Sequence, residues 1–329
     1  MEQNRVIYDW FTFTTKIHSL SNVIELLCLQ EVKFEQFDKG RYCYQNRLYY
    51  DGINIMYNGR EDMGICVEMS GQGCRNFESF GSGNYQGIFD MILDNWSEKA
   101  EQRQMNITRL DVAYDDFIGL LDLNYFVKAT QQGNFVSKNT NWEVIVSNKG
   151  CTVGHGDSHS SPVYIRIYDK KAERHRTDIE HWVRCEIKMK DDNARGFIKL
   201  KTDVRKSYFQ VLNNYLRYII PSNDNTKCRV SVAPEWLRFI EDFEKVSIFD
   251  KPGSEYNILK LDYFVFNQGG KAIKTMIDVL GPEKFLADLN EANKNKKTNP
   301  KYSAIREKMG VKTSENDNIL AFLEIRGAV

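Results

Sequence analysis

The sequence predicts an α+β fold: a largely antiparallel sheet built from two similar strand-helix-strands-helix units, with a C-terminal helical module. First, apolar and polar side chains alternate with a period of two in several segments, which is typical of strands that have one face on a core. Second, Asp51-Gly52 and Asn58-Gly59 are turn-forming pairs that separate neighbouring strands as hairpins. Third, the order strand, helix, several strands, helix occurs twice before Pro221, which indicates two related units that share or abut a sheet.

The patterns place each element along the chain. In the first third they predict strands over residues 10–16, 41–50, 53–57 and 65–69, and helices over 22–29 and 85–100. In the middle third they predict strands over 107–116, 142–146, 163–169 and 183–189, and helices over 123–130, 194–200 and 208–219. Past Pro221 follow a polar linker, an amphipathic helix over 234–246 and short tail helices. We therefore predict three domains, over residues 1–105, 106–221 and 222–329.

Composition indicates a soluble globular protein. Hydrophobic residues make up 42% of the 329 residues and charged residues 27%, and no stretch reaches the roughly 18–20 apolar residues of a membrane helix. The N-terminal segment has no apolar signal core, and the seven cysteines are dispersed without C-x-x-C spacing. Both features predict a cytoplasmic chain with reduced thiols and no membrane partner. The net charge is zero, but residues 164–206 carry thirteen Lys and Arg against eight Asp and Glu.

Three of the predicted strands share one chemical pattern, with charged residues and tyrosines on one parity and mostly apolar residues on the other. The first parity carries Arg109, Asp111 and Asp115 in residues 108–116, Tyr164, Arg166, Tyr168 and Lys170 in 164–170, and Arg184, Glu186 and Lys188 in 182–190. Paired as neighbours, these strands would display carboxylates, a tyrosine and several cations on one face. Metal-assisted attack on a phosphodiester requires that set of groups.

The same segments resemble a known family. TRLDVAYDDF, SSPVYIRIYDKKAER and HWVRCEIKMKDDNARGFI closely resemble the replication-initiation factor family. Its members are rolling-circle plasmid initiators of the staphylococcal tetracycline-plasmid type and related relaxases of integrative elements. GICVEMSGQGCRNFE and NQGGKAIKTMIDVLG fit as well, so the resemblance extends from about Trp10 into the tail.

The resemblance implies a sequence-specific, metal-dependent enzyme that nicks and religates DNA and initiates rolling-circle plasmid replication. The nucleophile would be Tyr168, which forms a 5′-phosphotyrosyl adduct and frees a 3′-OH, and Asp111 and Glu186 would be metal ligands. Asp115 and Asp116 are both candidates for a further ligand, and parity favours Asp115 because it shares the face of Asp111. Oxygen ligands favour Mg²⁺ or Mn²⁺.

The resemblance also implies partners. These are a double-stranded origin, a nick site exposed as single-stranded DNA in a hairpin, a second copy of the chain in a homodimer and a host helicase. The unit over 106–221 would then be catalytic, and the helical region over 222–329 would recognise DNA.

Cations surround the predicted nucleophile in the sequence. Arg166 and Lys170 lie two residues either side of Tyr168, and we expect them to assist catalysis by lowering the pKa of its phenol and holding the phosphate. Further cations are expected to contact DNA, namely Lys171, Arg174, Arg184 and Lys188.

The histidines have open roles. Nucleases of the broader rolling-circle class often bind metal through two histidines that flank one residue, and the sequence has no such triplet, so a carboxylate-based site is predicted. His155 and His159 lie in a Gly/Ser-rich segment and are predicted to be solvent-exposed or to contact phosphate. His181 precedes a strand and could approach the site from its end.

Three other functions fit the same residues. The chain could be a relaxase of an integrative conjugative element, or a non-catalytic origin-binding replication regulator whose site has decayed. It could also be a nuclease that activates water in place of tyrosine. Metal-dependent cleavage of cognate DNA separates the regulator from the enzymes, and protein attached to a 5′ end excludes the water mechanism.

Overall fold

A computed structural model describes residues 3–99, 102–224, 226–241, 244–248, 261–262, 265–266, 269–294 and 306. The chain divides into two compact units, Met1–Pro252 and Gly253–Val329. Among the residues described, the first unit holds all of the strands and the second holds two longer helices. The predicted boundaries at residues 105 and 221 stay predictions.

Alternating segments form strands, and segments with helical spacing form helices. The strands are β1 (Arg5–Thr15), β2 (Glu35–Phe37), β3 (Asn46–Tyr50), β4 (Ile53–Tyr57), β5 (Ile65–Met69), β6 (Met105–Asp116), β7 (Phe135–Ser137), β8 (Trp142–Ser147), β9 (Gly150–His155), β10 (Val163–Asp169), β11 (Val183–Lys190) and β12 (Leu216–Tyr218). The helices are α1 (Leu20–Leu26), α2 (Gly71–Phe80), α3 (Tyr85–Asp94), α4 (Leu123–Gln131), α5 (Lys170–Glu173), α6 (Asp191–Ile198), α7 (Val204–Tyr215), α8 (Pro234–Leu237), α9 (Gly270–Leu280) and α10 (Pro282–Asn293). The predicted strands over 53–57, 65–69 and 163–169 are confirmed residue for residue.

Ten of the strands form one sheet, in the order β2-β3-β4-β5-β1-β6-β11-β10-β9-β8. Each neighbouring pair is antiparallel. From the central pair β1 and β6, the order runs β5-β4-β3-β2 on one side and β11-β10-β9-β8 on the other. We call β1–β5 the N-terminal half of the sheet and β6 with β8–β11 the C-terminal half. The strand order of the C-terminal half therefore mirrors that of the N-terminal half. This confirms the prediction that the sheet is built from two similar strand-helix-strands-helix units.

The two faces of the sheet differ in chemistry. One face is apolar and packs on the helices, with residues such as Phe11, Val67, Val112, Ile165 and Ile187 buried in the main core. Burial of this face supplies the main driving force for folding, because apolar surface removed from water stabilises the folded state. The other face, which we call the polar face, carries the opposite parity of the same strands.

Two irregularities interrupt the central pair of strands. The register of β1 against β6 shifts between Tyr8 and Trp10, where Asp9 is the extra residue, and again where Thr108 is the extra residue of β6. Such bulges bend a strand and redirect a side chain, and they often lie beside functional sites. The first one directs Asp9 towards β11, where its carboxylate pairs with Arg184.

The segments after the sheet are shorter than the sequence predicts. Of the predicted helix over 234–246, the structure forms α8, which starts at Pro234 and buries Trp236 against Phe126 and Tyr218. In the tail, α9 and α10 agree with the predicted short helices, while the predicted features of residues 307–329 lie outside the described residues. No helix in the described part of the chain is long and apolar enough to cross a membrane.

Candidate active site

Tyr168 lies on the polar face, in the middle of a charged cluster. In the register of β10 against β11, Arg166 stands opposite Glu186 and Tyr168 opposite Arg184. The Tyr168 hydroxyl donates a hydrogen bond to Oε2 of Glu186 at 3.2 Å and accepts one from Nζ of Lys170, also at 3.2 Å. The structure therefore brings the predicted catalytic residues Tyr168, Arg166 and Lys170 together.

The surroundings of Tyr168 raise the pKa of its phenol. The side chain is only 3% exposed, and burial is the largest cause of the shift, followed by the negative charge of Glu186. The positive charges of Arg184 and Arg166 oppose it without outweighing it. The expected lowering by Arg166 is therefore present, but burial and the Glu186 carboxylate outweigh it and the net pKa is raised. A neutral phenol needs a proton acceptor before it can attack.

Glu186 is the carboxylate placed to take that proton. It is fully buried, and the guanidinium of Arg166 binds both of its oxygens, with Nε to Oε1 at 3.0 Å and Nη2 to Oε2 at 3.0 Å. The pKa of Glu186 is lowered, since the charge and hydrogen bonds of Arg166 outweigh the cost of burial. Glu186 is thus ionised at neutral pH and already accepts a hydrogen bond from the phenol.

Asp111 is the second buried carboxylate of the cluster. Arg109, two residues earlier on the same strand face, donates from Nε to Oδ1 of Asp111 at 2.9 Å. Burial raises the pKa of Asp111, Glu186 adds to the shift, and Arg109 opposes it. Asp111 pairs with Lys188 and Glu186 with Ala113 in the register of β6 against β11. The two acids are therefore diagonal neighbours on adjacent strands, with Cα atoms about 7–8 Å apart.

Asp111 and Glu186 would hold a hard divalent cation only after their arginines move, because Arg109 binds both oxygens of Asp111 and Arg166 binds both oxygens of Glu186. Like charges brought together in a buried place are relieved by a cation, and Mg²⁺ is commonly held by one or two carboxylates together with substrate phosphates. No three His, Cys, Asp or Glu side chains come together as a metal site among the described residues. Asp111 and Glu186 would therefore hold the ion with ligands contributed by DNA and water.

Asp115 has a different environment. Its Oδ1 accepts hydrogen bonds from Nε1 of Trp182 and Nε of Arg184, both at 2.7 Å, and its Oδ2 accepts from Nη2 of Arg184 at 3.0 Å and from Nε of Arg5 at 3.2 Å. A carboxylate has about four acceptor positions, and these four donors fill them. The contacts favour a structural role for Asp115 over the predicted role of metal ligand.

Arg184 is also part of that structural network. It is buried between Asp115 and Asp9, and its Nη1 lies 2.7 Å from Oδ2 of Asp9. The prediction that Arg184 contacts DNA is wrong, because the guanidinium binds two carboxylates beneath the surface. Instead, Arg184 lies opposite Tyr168 in the strand register. Its ion pairs with Asp9 of β1 and Asp115 of β6 link those two strands to β11 at the site.

Asp116 faces the other way and organises a loop. Its Oδ2 accepts a hydrogen bond from the backbone N–H of Leu121 at 2.7 Å, and its Oδ1 accepts from Ile118 and Gly119. His181 reaches the same carboxylate, with Nε2 at 3.1 Å from Oδ2. Asp116 and His181 therefore support the strand end and do not join the cluster around Tyr168.

The remaining predicted DNA contacts lie near the rim of the site. Lys171 and Arg174 are in and just after α5, where Arg174 is exposed and Lys171 half-buried with its ammonium on the carbonyl of Glu180. Lys188 shares the strand face of Glu186 and donates to the carbonyl of Ser158. Their contact with DNA stays a prediction.

His155 is not exposed. It is the last residue of β9, fully buried, and its Nε2 lies 2.8 Å from the hydroxyl of Tyr218. Burial lowers the pKa of His155 to about 3. The prediction of exposure is wrong for His155, since the segment continues a strand into the core, and right for His159, which is exposed in the following turn.

Three further residues complete the site, and the sequence patterns do not single them out. Asp9 is the bulged residue that pairs with Arg184. The Trp10 ring stacks under the guanidinium of Arg109, whose Cζ is 4.0 Å from the ring centroid, and Glu173 pairs with Lys170. The only signal for them was a position on or beside a predicted strand, because the contacts join segments distant in sequence.

Comparison with known proteins identifies the family of this chain. A family model described as "Replication initiation factor" matches residues 105–290, more than half of the chain, and one described as "Rolling Circle replication initiation protein N-terminal domain" matches residues 5–93. The chain belongs to the replication initiation factor family. It is therefore a member of the rolling-circle initiator and relaxase group that the sequence motifs resemble.

Two relatives support this membership. The chain is 28% identical over 265 residues to a putative DNA relaxase NicK of Bacillus subtilis (strain 168), a match that covers 75% of this chain and 74% of that protein. A solved structure of a rolling circle replication initiator protein from Geobacillus stearothermophilus superposes with a TM-score of 0.63 at 28% identity, and covers 74% of this chain and 100% of that one.

Proposed function

We propose that this family member nicks and religates DNA through Tyr168 and so initiates rolling-circle plasmid replication. The observation that carries the proposal is the Tyr168 hydroxyl, held between an ionised carboxylate and an ammonium at 3.2 Å from each. A core tyrosine needs one hydrogen-bond partner, whereas this one has an acceptor for its proton and a cation for its oxygen. That combination is typical of an activated nucleophile.

In the proposed reaction, Glu186 takes the phenolic proton as the Tyr168 oxygen attacks the scissile phosphorus. A bond forms between that oxygen and phosphorus, and the bond from phosphorus to the 3′ oxygen breaks. The products are a 5′-phosphotyrosyl adduct and, after the leaving oxygen takes a proton from water, a free 3′-OH. Lys170 stabilises the negative charge that develops on the phenol oxygen.

Arg166 has two roles in the proposed mechanism. Its guanidinium covers the Tyr168 ring, with Cζ 4.5 Å from the ring centroid, and neutralises Glu186. Its side chain is also partly exposed to solvent, so it can turn from the carboxylate to an arriving phosphate, for which its planar fork is well suited. That turn would uncover the nucleophile and restore the basicity of Glu186.

Asp111 and Glu186 are the proposed holders of Mg²⁺ or Mn²⁺, with Glu186 binding through Oε1 because its Oε2 accepts the Tyr168 proton. When bound, the ion would supply Lewis-acid polarisation of a non-bridging phosphate oxygen. Arg109 positions Asp111, and Trp10 positions Arg109. A double-stranded origin with a single-stranded nick site in a hairpin, homodimerisation, a host helicase and cytoplasmic location stay predictions from the family resemblance.

Replacing Tyr168 with Phe tests the proposal. The substrate is supercoiled plasmid that carries the DNA flanking the encoding gene, and the readouts are the open-circular product and protein attached to the 5′ end. Tyr168→Phe should abolish both while origin binding persists.

Tyr164→Phe is the matched control, because Tyr164 lies on the same strand face and its hydroxyl bonds to Glu143 instead, and it should keep nicking. Cleavage by Tyr168→Phe would refute the tyrosine mechanism in favour of a water-activating nuclease, and no cleavage by the unaltered chain would favour a non-catalytic regulator.

A second candidate function is relaxase activity for an integrative conjugative element, favoured by the likeness to NicK. The same Tyr168 chemistry serves both roles. Mobilisation of a plasmid that carries the flanking DNA, without its autonomous replication, would identify the relaxase.

A further inference from the structure

A cavity of about 500 Å³ opens on the polar face, where β1 and β5 of the N-terminal half lie beside the first residues of β6. Its floor includes Trp10 and Thr12 of β1 and Cys66 and Glu68 of β5, and Tyr42 borders one side. The volume is within the range of small-molecule sites in proteins. The proposed nicking mechanism uses Arg109 and Trp10 from this lining to position Asp111 and assigns no role to the rest of the cavity.

The lining combines flat apolar surfaces with cations. Tyr44, Met63 and Cys66 give the lining an apolar part, and Trp10 and Tyr42 add aromatic rings. The charged residues of the lining are the cations Lys16, Arg103 and Arg109 and the acids Asp62 and Glu68. Aromatic rings stack on unpaired bases, and nearby cations hold the backbone phosphates of single-stranded DNA.

Glu68 gives the cavity a hydrogen-bonding preference. Its side chain is only 2% exposed in total yet lines the cavity, and it accepts hydrogen bonds from Nη1 of Arg41 and the hydroxyl of Tyr42, both at 2.9 Å. Asn54 adds a long contact of 3.5 Å. Three donors leave about one acceptor position of the carboxylate for a ligand. An ionised carboxylate accepts from an exocyclic amino group, as acidic residues do from cytosine, and thymine has no such group.

The cavity is continuous with the candidate active site. Arg109 lines the cavity and also holds Asp111, the proposed metal ligand. Strand β5, which carries Glu68, lies two strand spacings from β6, which carries Asp111, or about 10 Å across the sheet. One strand of DNA that crosses the polar face therefore passes both places.

We infer that this cavity binds an unpaired base of the DNA strand beside the nick, and that Glu68 selects a base with an exocyclic amino group, cytosine above thymine. The inference rests on the proposed function for the identity of the DNA. The base stacks on the cavity aromatics, Lys16 holds a backbone phosphate, and the site fixes the position of the strand relative to Tyr168.

Binding of short homopolymers tests the inference. The full chain is titrated into fluorescent oligo(dC) or oligo(dT) of about twelve nucleotides, a length that spans a typical single-strand site, in EDTA so that no cleavage occurs. Oligo(dC) should bind on the order of tenfold more tightly than oligo(dT). Glu68→Gln should cancel or reverse this preference, because an amide also donates, and Tyr42→Ala should weaken both oligomers on the order of tenfold.

Phe80→Ala is the matched control, because Phe80 and Tyr42 are each 61% exposed and Phe80 belongs to α2, away from the cavity lining. It should leave both affinities unchanged. The inference would be overturned if the unaltered chain bound the two oligomers with equal affinity. It would also be overturned if Glu68→Gln and Tyr42→Ala left both affinities unchanged, as Phe80→Ala should.

A cross-linking measurement on the unaltered chain decides the matter if Glu68→Gln does not fold. Oligo(dC) that contains 5-iodocytosine is irradiated in the complex, and the modified residues are mapped by mass spectrometry. Cross-links to Trp10, Tyr42 or Tyr44 support the inference, and cross-links confined to other parts of the chain refute it. The phosphotyrosyl adduct of Tyr168 is scored separately, so that a failed pocket and a failed nicking mechanism give different results.

Discussion

Glu68 on β5 and Glu186 on β11 occupy corresponding strands in the two halves of the sheet, and each accepts hydrogen bonds from an arginine and a tyrosine. The tyrosines differ in origin. Tyr168 belongs to an inner strand and is buried, whereas Tyr42 belongs to a loop, is exposed and has a φ of 55°. A nucleophile must be held in place, while a pocket wall must let its ligand in. Corresponding strands of the two halves thus carry a glutamate with the same kinds of partner, and we propose that one supports chemistry and the other binding.

The partners of the two glutamates differ as well. Glu186 has Asp111 as a diagonal neighbour, so that two carboxylates share the site. Glu68 stands between Thr12 and Asn54 in the register of its neighbouring strands, with no second acid there. We therefore expect any requirement for a divalent cation to come from Asp111 and Glu186 in the C-terminal half.

The largest expected effect comes from the carboxylates of the C-terminal half. Glu186→Gln should lower the nicking rate by about 10²–10⁴-fold, because it removes the proton acceptor of Tyr168. Asp111→Asn should raise the Mg²⁺ concentration needed for half-maximal nicking, and excess Mn²⁺ should restore part of its rate but none of the rate of Glu186→Gln. Glu68→Gln should leave the Mg²⁺ dependence unchanged. A shifted Mg²⁺ dependence in Glu68→Gln would break the distinction between the halves.

The buried arginine of the C-terminal half should matter more for stability than its exposed counterpart. Arg184→Met leaves Asp115 and Asp9 without their main partner, and removal of one member of a buried ion pair costs about 3–5 kcal/mol. Arg41→Met removes a half-exposed arginine from Glu68, and pairs with an exposed member contribute about 1 kcal/mol or less. Urea unfolding followed by tryptophan fluorescence measures both. Equal losses would show that the two clusters are equally supported.

A smaller effect concerns the dependence of stability on pH. In the outer strands of the sheet, β9 buries His155, whereas the residues of β3 are all partly exposed. The pKa of His155 is lowered from 6.5 to about 3 by burial. The unfolded chain therefore binds a proton that the folded chain does not, and stability falls as the pH drops below about 6.5. By pH 5 the loss from this residue is about 2 kcal/mol.

Unfolding free energies between pH 7 and pH 5 check this sign. His155→Phe should flatten the dependence, since Tyr218 keeps its hydrogen bond to Thr130. His159→Gln changes an exposed histidine and should leave the slope as it is. A slope unaltered in His155→Phe would contradict the burial argument.

The alternation of side chains was sufficient to predict most strands and the shared face of Tyr168, Arg166, Glu186 and Asp111, because parity is a local property of a strand. It could not assign partners. Whether Arg184 meets DNA or a buried carboxylate depends on Asp9, which arrives from a strand far away in sequence and only because of a bulge. Parity alone made Asp115 equivalent to Asp111, although their donors differ.

Other misses have local causes. Gly150 and Gly154 interrupt the apolar pattern of β9, so the pattern does not predict this strand and leaves His155 in a Gly/Ser-rich segment that is expected to be exposed. The direction of the Tyr168 pKa shift depends on burial by side chains of several strands, which nearby cations in the sequence cannot reveal.

The small exposed area of Tyr168 has a consequence for the enzyme at rest. The guanidinium of Arg166 covers the Tyr168 phenol. The phenol is therefore shielded from stray phosphate esters and from tyrosine-directed reagents such as nitrating agents. In the proposed mechanism a DNA strand would have to displace Arg166 to reach the hydroxyl, so we expect discrimination among sequences to begin before any bond is broken.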